Sequence, residues 1–388
     1  MSNIKNIDGT PVFPVVSLFS GAMGLDIGLM QAGINVAVSQ DYDKWCVETI
    51  KKNGHVGVLG DIRELINQDP SCNFLLKAGM LKKESVFAVV GGPPCQSFST
   101  AGKRLGVEDE RGQLYNQFIH VVEKLRPRFF VMENVKGLAS TLVDPADKQS
   151  KPLLAHILEK FKALGYHTVH GVLDAVHYGT PQFRERLVII GSRDNEAIFL
   201  PSPTHFHVHQ NDDMRWLTLF DAIGDIQDAG PCAKFSASIM EYLSLVPEGG
   251  NWKSLPPEIA KKAMGGAYES GGGKVGSYRR LPYSEPSPTL VTSPNQKATL
   301  LGHPHELRPL SVKEYARIQQ FPDSWVFEGK ITDCYRQIGN AVPIPLGRAI
   351  GQMLVAVELG KSEIRVKRMR GTSVYDSMLK MSQALTGK

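Results

Sequence analysis

The chain has 388 residues, of which 42% are hydrophobic and 21% are charged, and its formal net charge is +5. This length predicts one large domain and a smaller one, and the modest positive charge permits a polyanionic partner without requiring one. No apolar run is long enough to cross a bilayer and the first residues lack a secretory signal, so we exclude a membrane protein and expect a cytosolic one.

The first half alternates short β-branched runs with amphipathic segments. Strands are predicted at residues 15–19, 35–39, 56–61, 86–91, 129–133 and 187–191. Helices are predicted between them at residues 43–53, 114–125 and 152–164. This order predicts an α/β fold with a doubly wound, mostly parallel, Rossmann-like sheet that is covered on both faces.

The pattern changes after residue 193. Up to about residue 307 the chain carries scattered Pro, Gly, His and Asn, which predicts an irregular region of short strands without a strong helical period. Helical periodicity returns at residues 312–320 and 345–358. We therefore predict a catalytic domain at 1–193, a small domain at 194–336, a return to the catalytic domain at 337–360, and a basic tail of unknown role at 361–388.

The five cysteines form no Cys-x-x-Cys pair, which argues against a disulfide framework and a zinc site. His205, His207 and His209 alternate, a spacing that would put them on one face of a strand. A polar strand or loop is favoured over a metal site, and no metal is predicted.

Glycines follow the first predicted strand in the segment FSGAMGLD, where a tight turn opens a helix. Such a turn lets backbone N–H groups approach a polar ligand, as in nucleotide-binding folds. Asp41 ends the next strand about 20 residues later, where ribose hydroxyls are held in such folds, although a helix cap is the alternative role.

The segment GGPPCQSFS places Cys95 on a proline-stiffened loop directly after a predicted buried strand. Two prolines restrict the backbone, and the preceding glycines allow close approach. This setting favours a nucleophilic thiol at the carboxyl edge of the sheet over inert packing.

Glu133 ends a predicted apolar strand, where partial desolvation raises a carboxyl pKa and suits it to hold a proton. Arg184 and Arg186 alternate in the segment QFRER and so share one side of an extended chain. An ion pair that closes the sheet is the structural alternative, and both roles are compatible.

Six segments in this order carry a resemblance: FSGAMGLD, GGPPCQSFS, ENV, QFRER, RPLSVKEYARIQQFPDSW and QIGNAVP. Together they resemble the cytosine-C5 DNA methyltransferases of bacterial restriction–modification systems over most of residues 14–193 and 286–350. The resemblance implies methyl transfer from S-adenosylmethionine to C5 of a cytosine flipped out of a specific duplex sequence. Met23 departs from the pattern, since the family usually has a second glycine there.

The resemblance also implies roles for residues. Cys95 would add to cytosine C6, Glu133 would hold a proton at N3, and Arg186, supported by Arg184, would hold the base. The methyl donor would contact Phe19, Gly21, Gly24, Asp41, Tyr42, Asp61, Leu114, Asn340 and Val342, with Asp41 at the ribose and Asp61 near the adenine amino group.

By the same resemblance, DNA contacts are expected from a mobile basic loop at 96–112 and from a target recognition region at about 194–285. The candidates are Gln96, Ser99, Lys103, Arg104, Gln182, Lys274, Arg279 and Arg280. A solvated loop explains the basic residues at 103 and 104 nearly as well.

The predicted partners are double-stranded DNA and, by resemblance, a cognate endonuclease whose cutting the methylation blocks. We expect a monomer in the bacterial cytosol, held at the nucleoid by DNA. A transfer-RNA methyltransferase of the same family is the main alternative, and the long insert after QFRER argues against it. A dinucleotide-dependent oxidoreductase would have no use for Cys95, and a catalytically inactive DNA-binding relative would not need Glu133.

Overall fold

The structure is a computed structural model, and it describes residues 12–94, 114–144, 147, 149–194, 196–207, 212–269 and 275–360. Its centre is a seven-stranded sheet in the order β3-β2-β1-β4-β5-β7-β6. The strands are β1 (Pro14–Leu18), β2 (Asn35–Asp41), β3 (Gly57–Leu59), β4 (Ala88–Gly91), β5 (Phe129–Val135), β6 (His167–Asp174) and β7 (Glu185–Ser192).

Strands β1 to β5 pair in parallel, whereas β7 runs antiparallel to both β5 and β6. The prediction of a mostly parallel sheet is confirmed. Strand β7 covers the strand predicted at 187–191 and is one of the antiparallel exceptions, and β6 was not predicted. Antiparallel pairing places Val135 of β5 opposite Arg186 of β7, so the second arginine of QFRER lies near the end of β5.

Twelve α-helices accompany the sheet in the described residues. They are α1 (Gly24–Gln31), α2 (Lys44–Lys52), α3 (Ile62–Gln68), α4 (Asn73–Ala78), α5 (Leu114–Leu125), α6 (Leu153–Ala163), α7 (Leu219–Ile223), α8 (Ala237–Leu243), α9 (Pro257–Met264), α10 (Val312–Ile318), α11 (Ile331–Asn340) and α12 (Ile344–Glu358).

Helices cover both faces of the sheet. One hydrophobic cluster joins β1, β4 and β5 to α1 and α12, and a second joins the opposite face to α5 and α6. Apolar side chains alternate between the two clusters along β1 and β5, as the two-residue period of a strand requires. The two clusters confirm the doubly wound α/β arrangement.

The region after residue 193 contains short helices where short strands were expected. Strand pairing of its described residues is limited to isolated bridges, such as the one between Arg280 and Gly302. A small separate cluster of apolar side chains, including Leu243, Tyr278 and Leu300, holds α8 and α9 together. Helices this short fall below the window in which helical periodicity is visible in a sequence. Among the described residues, no helix has the length and apolar character needed to cross a membrane.

Candidate active site

The carboxyl end of β4 runs into the segment that was predicted to carry the nucleophile. The structure describes this segment through Pro94, and its last described residues extend from Gly91 at the end of β4. Cys95, Gln96, Ser99, Lys103 and Arg104 lie outside the described residues, so their roles stay predictions.

Glu133 lies next to this segment, in β5, and only 8% of its surface is exposed. Arg186 Nε lies 2.8 Å from Glu133 Oε1, so the carboxylate is paired with the arginine that β7 brings alongside. Burial raises the pKa of Glu133, and the nearby Arg186 and Arg184 oppose that rise. The carboxyl group therefore has the desolvation expected of a proton carrier together with the ion pair of the structural alternative.

Gly92 allows the loop backbone to lie directly against this carboxylate. A Cβ at position 92 would lie 2.8 Å from Glu133 Oε2, which is closer than carbon and oxygen atoms normally approach. The next residue of the ENV segment secures the same loop, because Asn134 Nδ2 donates to the carbonyl oxygen of Pro93 at 2.9 Å. The loop that precedes Cys95 is thus fixed to the strand end that carries the acid.

Arg184 has different contacts from Arg186. It is 1% exposed, and its guanidinium donates to the carbonyl oxygens of Leu290, at 3.1 Å, and Gly339, at 2.7 Å. Burial, with the nearby Arg186, lowers the pKa of Arg184 well below its usual value. These contacts join the start of β7 to the end of α11, whereas base binding by Arg184 stays a prediction.

Gln182 and Gln319 extend these contacts into a buried polar clasp, which we define as Gln182, Arg184 and Gln319. The Gln182 side chain accepts from Leu290 N at 2.9 Å and donates to Gln319 Oε1 at 3.1 Å. Gln319 Nε2 in turn donates to the carbonyl oxygen of Ile338 at 2.9 Å. Gln182 is fully buried, and its predicted DNA contact stays untested.

A cavity of about 220 Å³ opens at the carboxyl ends of β1, β2 and β3, on the same edge as Glu133. Its walls are Phe19, Gln40, Tyr42, Asp61, Ile62, Arg63, Pro94 and Leu114. Four of these residues were predicted to bind the methyl donor. Pro94 connects this cavity to the loop that leads to Cys95.

Asp61 and Asp41 differ in their relation to this cavity. Asp61 caps α3 and forms an ion pair with Arg63, whose Nη2 lies 2.7 Å from Oδ2, and this contact lowers the pKa of Asp61. Asp41 does not line the cavity and accepts from Gly21 N at 2.8 Å and from Asp43 N at 2.9 Å. Burial raises the pKa of Asp41 to about 6. The N-terminal cap of α2 is Asp43, not Asp41.

Gly24 and Val342 meet through their backbones, because a Cβ on Gly24 would lie 2.3 Å from the carbonyl oxygen of Val342. Gly24 therefore allows α1 to pack closely against the turn that precedes α12.

Asn340, at the end of α11, is exposed. Met23 is fully buried and has a left-handed backbone, with φ 68°.

The predicted target-reading residues are described in part. Arg279 Nε donates to the carbonyl oxygen of Leu300 at 3.0 Å, and Arg280 contacts the carbonyl oxygen of Pro304 at 3.4 Å. Lys274 lies outside the described residues, and DNA contacts of all three stay predictions. Within the described ranges, no three His, Cys, Asp or Glu side chains form a group that could hold a metal.

Asp26 is a buried acid that the sequence interpretation did not assign. It lies in α1 beneath the glycine turn, and its two oxygens accept from Ser17 Oγ at 2.7 Å and Ser39 Oγ at 2.8 Å. Ser20 Oγ donates to Ser17 Oγ at 2.8 Å, so the turn itself is tied to this acid. Ser17 and Ser39 are polar residues within the apolar strands β1 and β2, and they were the signal in the sequence for this buried acid.

Comparison with known proteins identifies one family over nearly the whole described chain. The family model for C-5 cytosine-specific DNA methylases matches residues 13–356. The Type II methyltransferase M.PspPI of Psychrobacter sp. (strain TA137) is 40% identical over 349 residues, which cover 88% of this chain and 79% of the relative. M.Eco47II of Escherichia coli, also a Type II methyltransferase, is 38% identical over 355 residues, covering 89% and 79%.

Solved structures share the architecture at lower identity. A DNA modification methyltransferase encoded by an E. coli prophage superposes with a TM-score of 0.61 at 24% identity, covering 89% of this chain and 99% of that one. A Spodoptera frugiperda DNMT2 variant gives a TM-score of 0.55 at 18% identity, covering 88% and 99%. At these identities the likeness establishes the fold alone.

Proposed function

Because this chain belongs to the family of C-5 cytosine-specific DNA methylases, we infer that it methylates cytosine in DNA and that Cys95, Glu133 and Arg186 carry the reaction. The observation that carries this assignment is the buried pair of Glu133 and Arg186 beside the Gly92–Pro93 backbone. An acid in this position can protonate a heterocyclic nitrogen. In the sequence, Cys95 comes two residues after Pro93.

The chemistry of cytosine explains why these residue types are needed. C5 of cytosine is a poor nucleophile, so the Cys95 thiolate adds to C6 and forms a covalent bond. Glu133 holds the proton at N3 that allows the ring to accept the sulfur electrons, and Arg186 keeps this carboxyl group oriented. C5 then becomes electron-rich and accepts the methyl group. A base removes the C5 proton, the C5–C6 double bond re-forms, and the Cys95 sulfur leaves.

S-adenosylmethionine is the proposed methyl donor, and it supplies a methyl group activated by a sulfonium. The cavity walls fit such a molecule, because Phe19, Tyr42 and Leu114 offer apolar surface while Asp61 and Gln40 offer polar atoms. Asp41 lies on the opposite side of β2, and its carboxylate fixes the Gly21 turn. The remaining proposed contacts lie outside the cavity wall and are Gly21, Gly24, Asp41, Asn340 and Val342.

Duplex DNA is the proposed substrate, and the target cytosine must leave the stack to reach the buried acid. The relatives named as Type II methyltransferases favour this substrate over transfer RNA. By the same analogy, a cognate endonuclease would cut the same sequence when it is unmethylated. We further propose a monomer that acts in the bacterial cytosol, with target reading by residues 194–285.

Transfer of a labelled methyl group tests this assignment. The purified protein should label duplex DNA and leave transfer RNA unlabelled, and bisulfite sequencing should then identify one methylated cytosine within a fixed sequence. Cys95→Ser should abolish transfer while donor affinity stays within about tenfold, since the thiol is not a donor ligand. Label that enters only RNA would contradict the proposal.

A matched pair of glutamate variants tests the acid. Glu133→Gln should slow transfer at least about a hundredfold, because the amide cannot deliver a proton to N3. Glu185→Gln is the control, since Glu185 is exposed and contacts Lys136 at the surface. It should retain transfer, and equal losses in both variants would refute the role of Glu133.

A further inference from the structure

Phe183 is an exposed aromatic residue at the edge of the sheet where the proposed reaction takes place. It precedes β7, whose Arg186 lies opposite Val135 at the carboxyl end of β5. Three residues of extended chain span about 10 Å, so Phe183 lies within that distance of Arg186, the partner of Glu133. Phe183 is 38% exposed, whereas the adjacent Arg184 is buried.

The backbone of Phe183 is held on both sides. Its N–H donates to the carbonyl oxygen of Ser287 at 2.9 Å, and its carbonyl oxygen accepts from Thr289 Oγ1 at 2.7 Å. The preceding residue, Gln182, forms an isolated parallel bridge with Ser287. The ring therefore projects from a fixed backbone, which keeps the entropy lost on binding a ligand small.

Three further rings support the Phe183 ring. Trp216 lies edge-on to it, with the ring centroids 5.5 Å apart and the ring planes at 85°. His177 and His207 pack against Trp216 in a similar way, at 5.4 and 5.0 Å between centroids. Phe183 and His207 are exposed, and Trp216 and His177 are half-buried. We define these four residues as the aromatic patch, and exposed apolar surface of this kind marks an interaction site.

The location of the aromatic patch favours DNA as its ligand. Helices cover both faces of the sheet, so a base reaches the buried Glu133 from beyond the carboxyl edge, where Phe183 is exposed. Successive side chains of an extended segment point to opposite sides, so Phe183 faces away from Arg184 and Arg186. The ring therefore lies outside the pocket of the flipped base. Nucleotides follow one another at about 3.4 Å along a strand, which brings the neighbours of the target within reach of Phe183.

We propose that Phe183 stacks on the base of a nucleotide beside the flipped cytosine. This inference rests on the proposed function, because it requires duplex DNA as the substrate and a cytosine that leaves the stack. Base flipping uncovers the faces of the adjoining bases, and an aromatic ring can cover such a face whichever base it belongs to. Phe183 thereby adds affinity for the opened duplex without reading its sequence.

Binding of two fluorescein-labelled duplexes tests the proposal without requiring turnover. Both duplexes carry the site that bisulfite sequencing locates, and one has an abasic deoxyribose in place of the target cytosine. Fluorescence anisotropy should show that Phe183→Ala weakens binding of both duplexes by about tenfold, as expected for the loss of one contact between a base and a ring. The abasic duplex offers no base to Glu133, so an equal loss on both duplexes assigns the ring to a neighbouring nucleotide.

Two variants and a control identify the ring as the cause. Phe183→Tyr keeps the ring and should bind both duplexes within about twofold of the wild type. Phe183→Leu keeps apolar bulk without the ring and should stay at least about fivefold weaker. Leu359→Ala is the control, because Leu359 is 45% exposed and follows Glu358, which pairs with Arg128 at the amino end of β5, on the opposite edge of the sheet. It should bind DNA as the wild type does.

Three further measurements distinguish a DNA contact from a structural role. Calorimetry should give the same affinity for S-adenosylhomocysteine in all four variants as in the wild type. In Phe183→Ala, methyl transfer at saturating DNA should change by less than about twofold, so that the loss appears in the KM for DNA and not in kcat. The slope of log affinity against log salt concentration should also stay unchanged, because the ring neutralises no phosphate.

The outcomes separate this inference from the proposed function. Unchanged DNA binding by Phe183→Ala would overturn the inference and leave the aromatic patch for a protein partner, and an equal loss in Leu359→Ala would overturn it as well. A loss confined to the duplex with the intact cytosine would place the ring on the flipped base, and a loss of S-adenosylhomocysteine binding in Phe183→Ala would show a structural role; either result refutes the inference. If the wild-type protein methylated no DNA, the proposed function would fail together with this inference.

Discussion

Asp26 should make the stability of this protein depend strongly on pH. Its carboxyl group is 1% exposed and accepts from Ser17 and Ser39. Burial raises the pKa of Asp26 from 3.8 to about 6, the two serine hydroxyls oppose that rise, and the nearby charge of Asp41 adds to it. Between pH 3.8 and about 6, Asp26 therefore keeps its proton in the folded protein, whereas in the unfolded chain it has released it.

The sign and size follow from proton linkage. Below pH 3.8 the group is protonated in both states, so its full contribution to stability is present. As pH rises from 3.8 to about 6, the unfolded chain releases the proton first and the folded state loses stability. Above pH 6 the loss reaches about 3 kcal/mol, since each tenfold difference in proton affinity corresponds to 1.36 kcal/mol.

Asp26→Asn removes the titration while keeping the shape and one acceptor oxygen. We expect the difference in unfolding free energy between this variant and the wild type to shift in favour of the variant by about 2 to 3 kcal/mol between pH 4 and 7.5. Urea unfolding followed by tryptophan fluorescence at a series of pH values measures it. A constant offset from lost packing does not affect this slope.

Asp221→Asn is the control, because the ion pair with Arg215 lowers the pKa of Asp221 to about 2. The contribution of Asp221 to stability is present above pH 3.8 and disappears only as pH falls toward 2, so its difference from wild type should stay constant between pH 4.5 and 7.5. An equally flat difference for Asp26→Asn would refute the account of Asp26 as a carboxyl group whose burial Ser17 and Ser39 compensate only in part.

Three further substitutions test packing at the site. Met23→Gly should lower the free energy of unfolding by about 1 to 3 kcal/mol, because losing the buried side chain outweighs the relief of a left-handed backbone; a stabilised variant would contradict this. Arg184→Lys should destabilise the protein by about 2 to 4 kcal/mol in urea unfolding, because the carbonyl oxygens of Leu290 and Gly339 lose donors. Unchanged stability together with lost base binding would instead favour a catalytic role for Arg184. Gly92→Ala should reduce the methylation rate about a hundredfold by displacing the Glu133 carboxylate, and an unchanged rate would show that the contact tolerates a methyl group.

The strands that the sequence predicted well are those with continuous apolar runs. Residues 129–133 and 35–39 correspond to β5 and β2, both central enough to be buried on two faces. Strand β6 escaped prediction because it lies at the edge of the sheet and its first half is exposed or half-buried, so no apolar run marks it. The antiparallel direction of β7 escaped as well, because a strand has the same two-residue period in either direction.

The candidate site also has features that the sequence predicts and features that only the structure shows. The sequence placed Glu133 at a strand end and Arg186 on an extended segment, and the pairing of β5 with β7 brings the two side chains together. The contacts of Arg184, which reach Leu290 and Gly339 more than a hundred residues away, follow from tertiary packing and leave no trace in local spacing.

The Arg184 member of the clasp connects Arg186, the proposed base-binding residue, with Asn340, a proposed donor contact. Arg184 lies two residues before Arg186 in the sequence. Its guanidinium donates a hydrogen bond to the carbonyl oxygen of Gly339, the residue before Asn340. Because the guanidinium is rigid and fully buried, a shift of β7 that moves Arg186 relative to Glu133 must also move the end of α11. The distance between Asn340, a proposed donor contact, and Glu133, the proposed catalytic acid, therefore depends on this buried side chain, which gives a structural reason for an arginine at position 184.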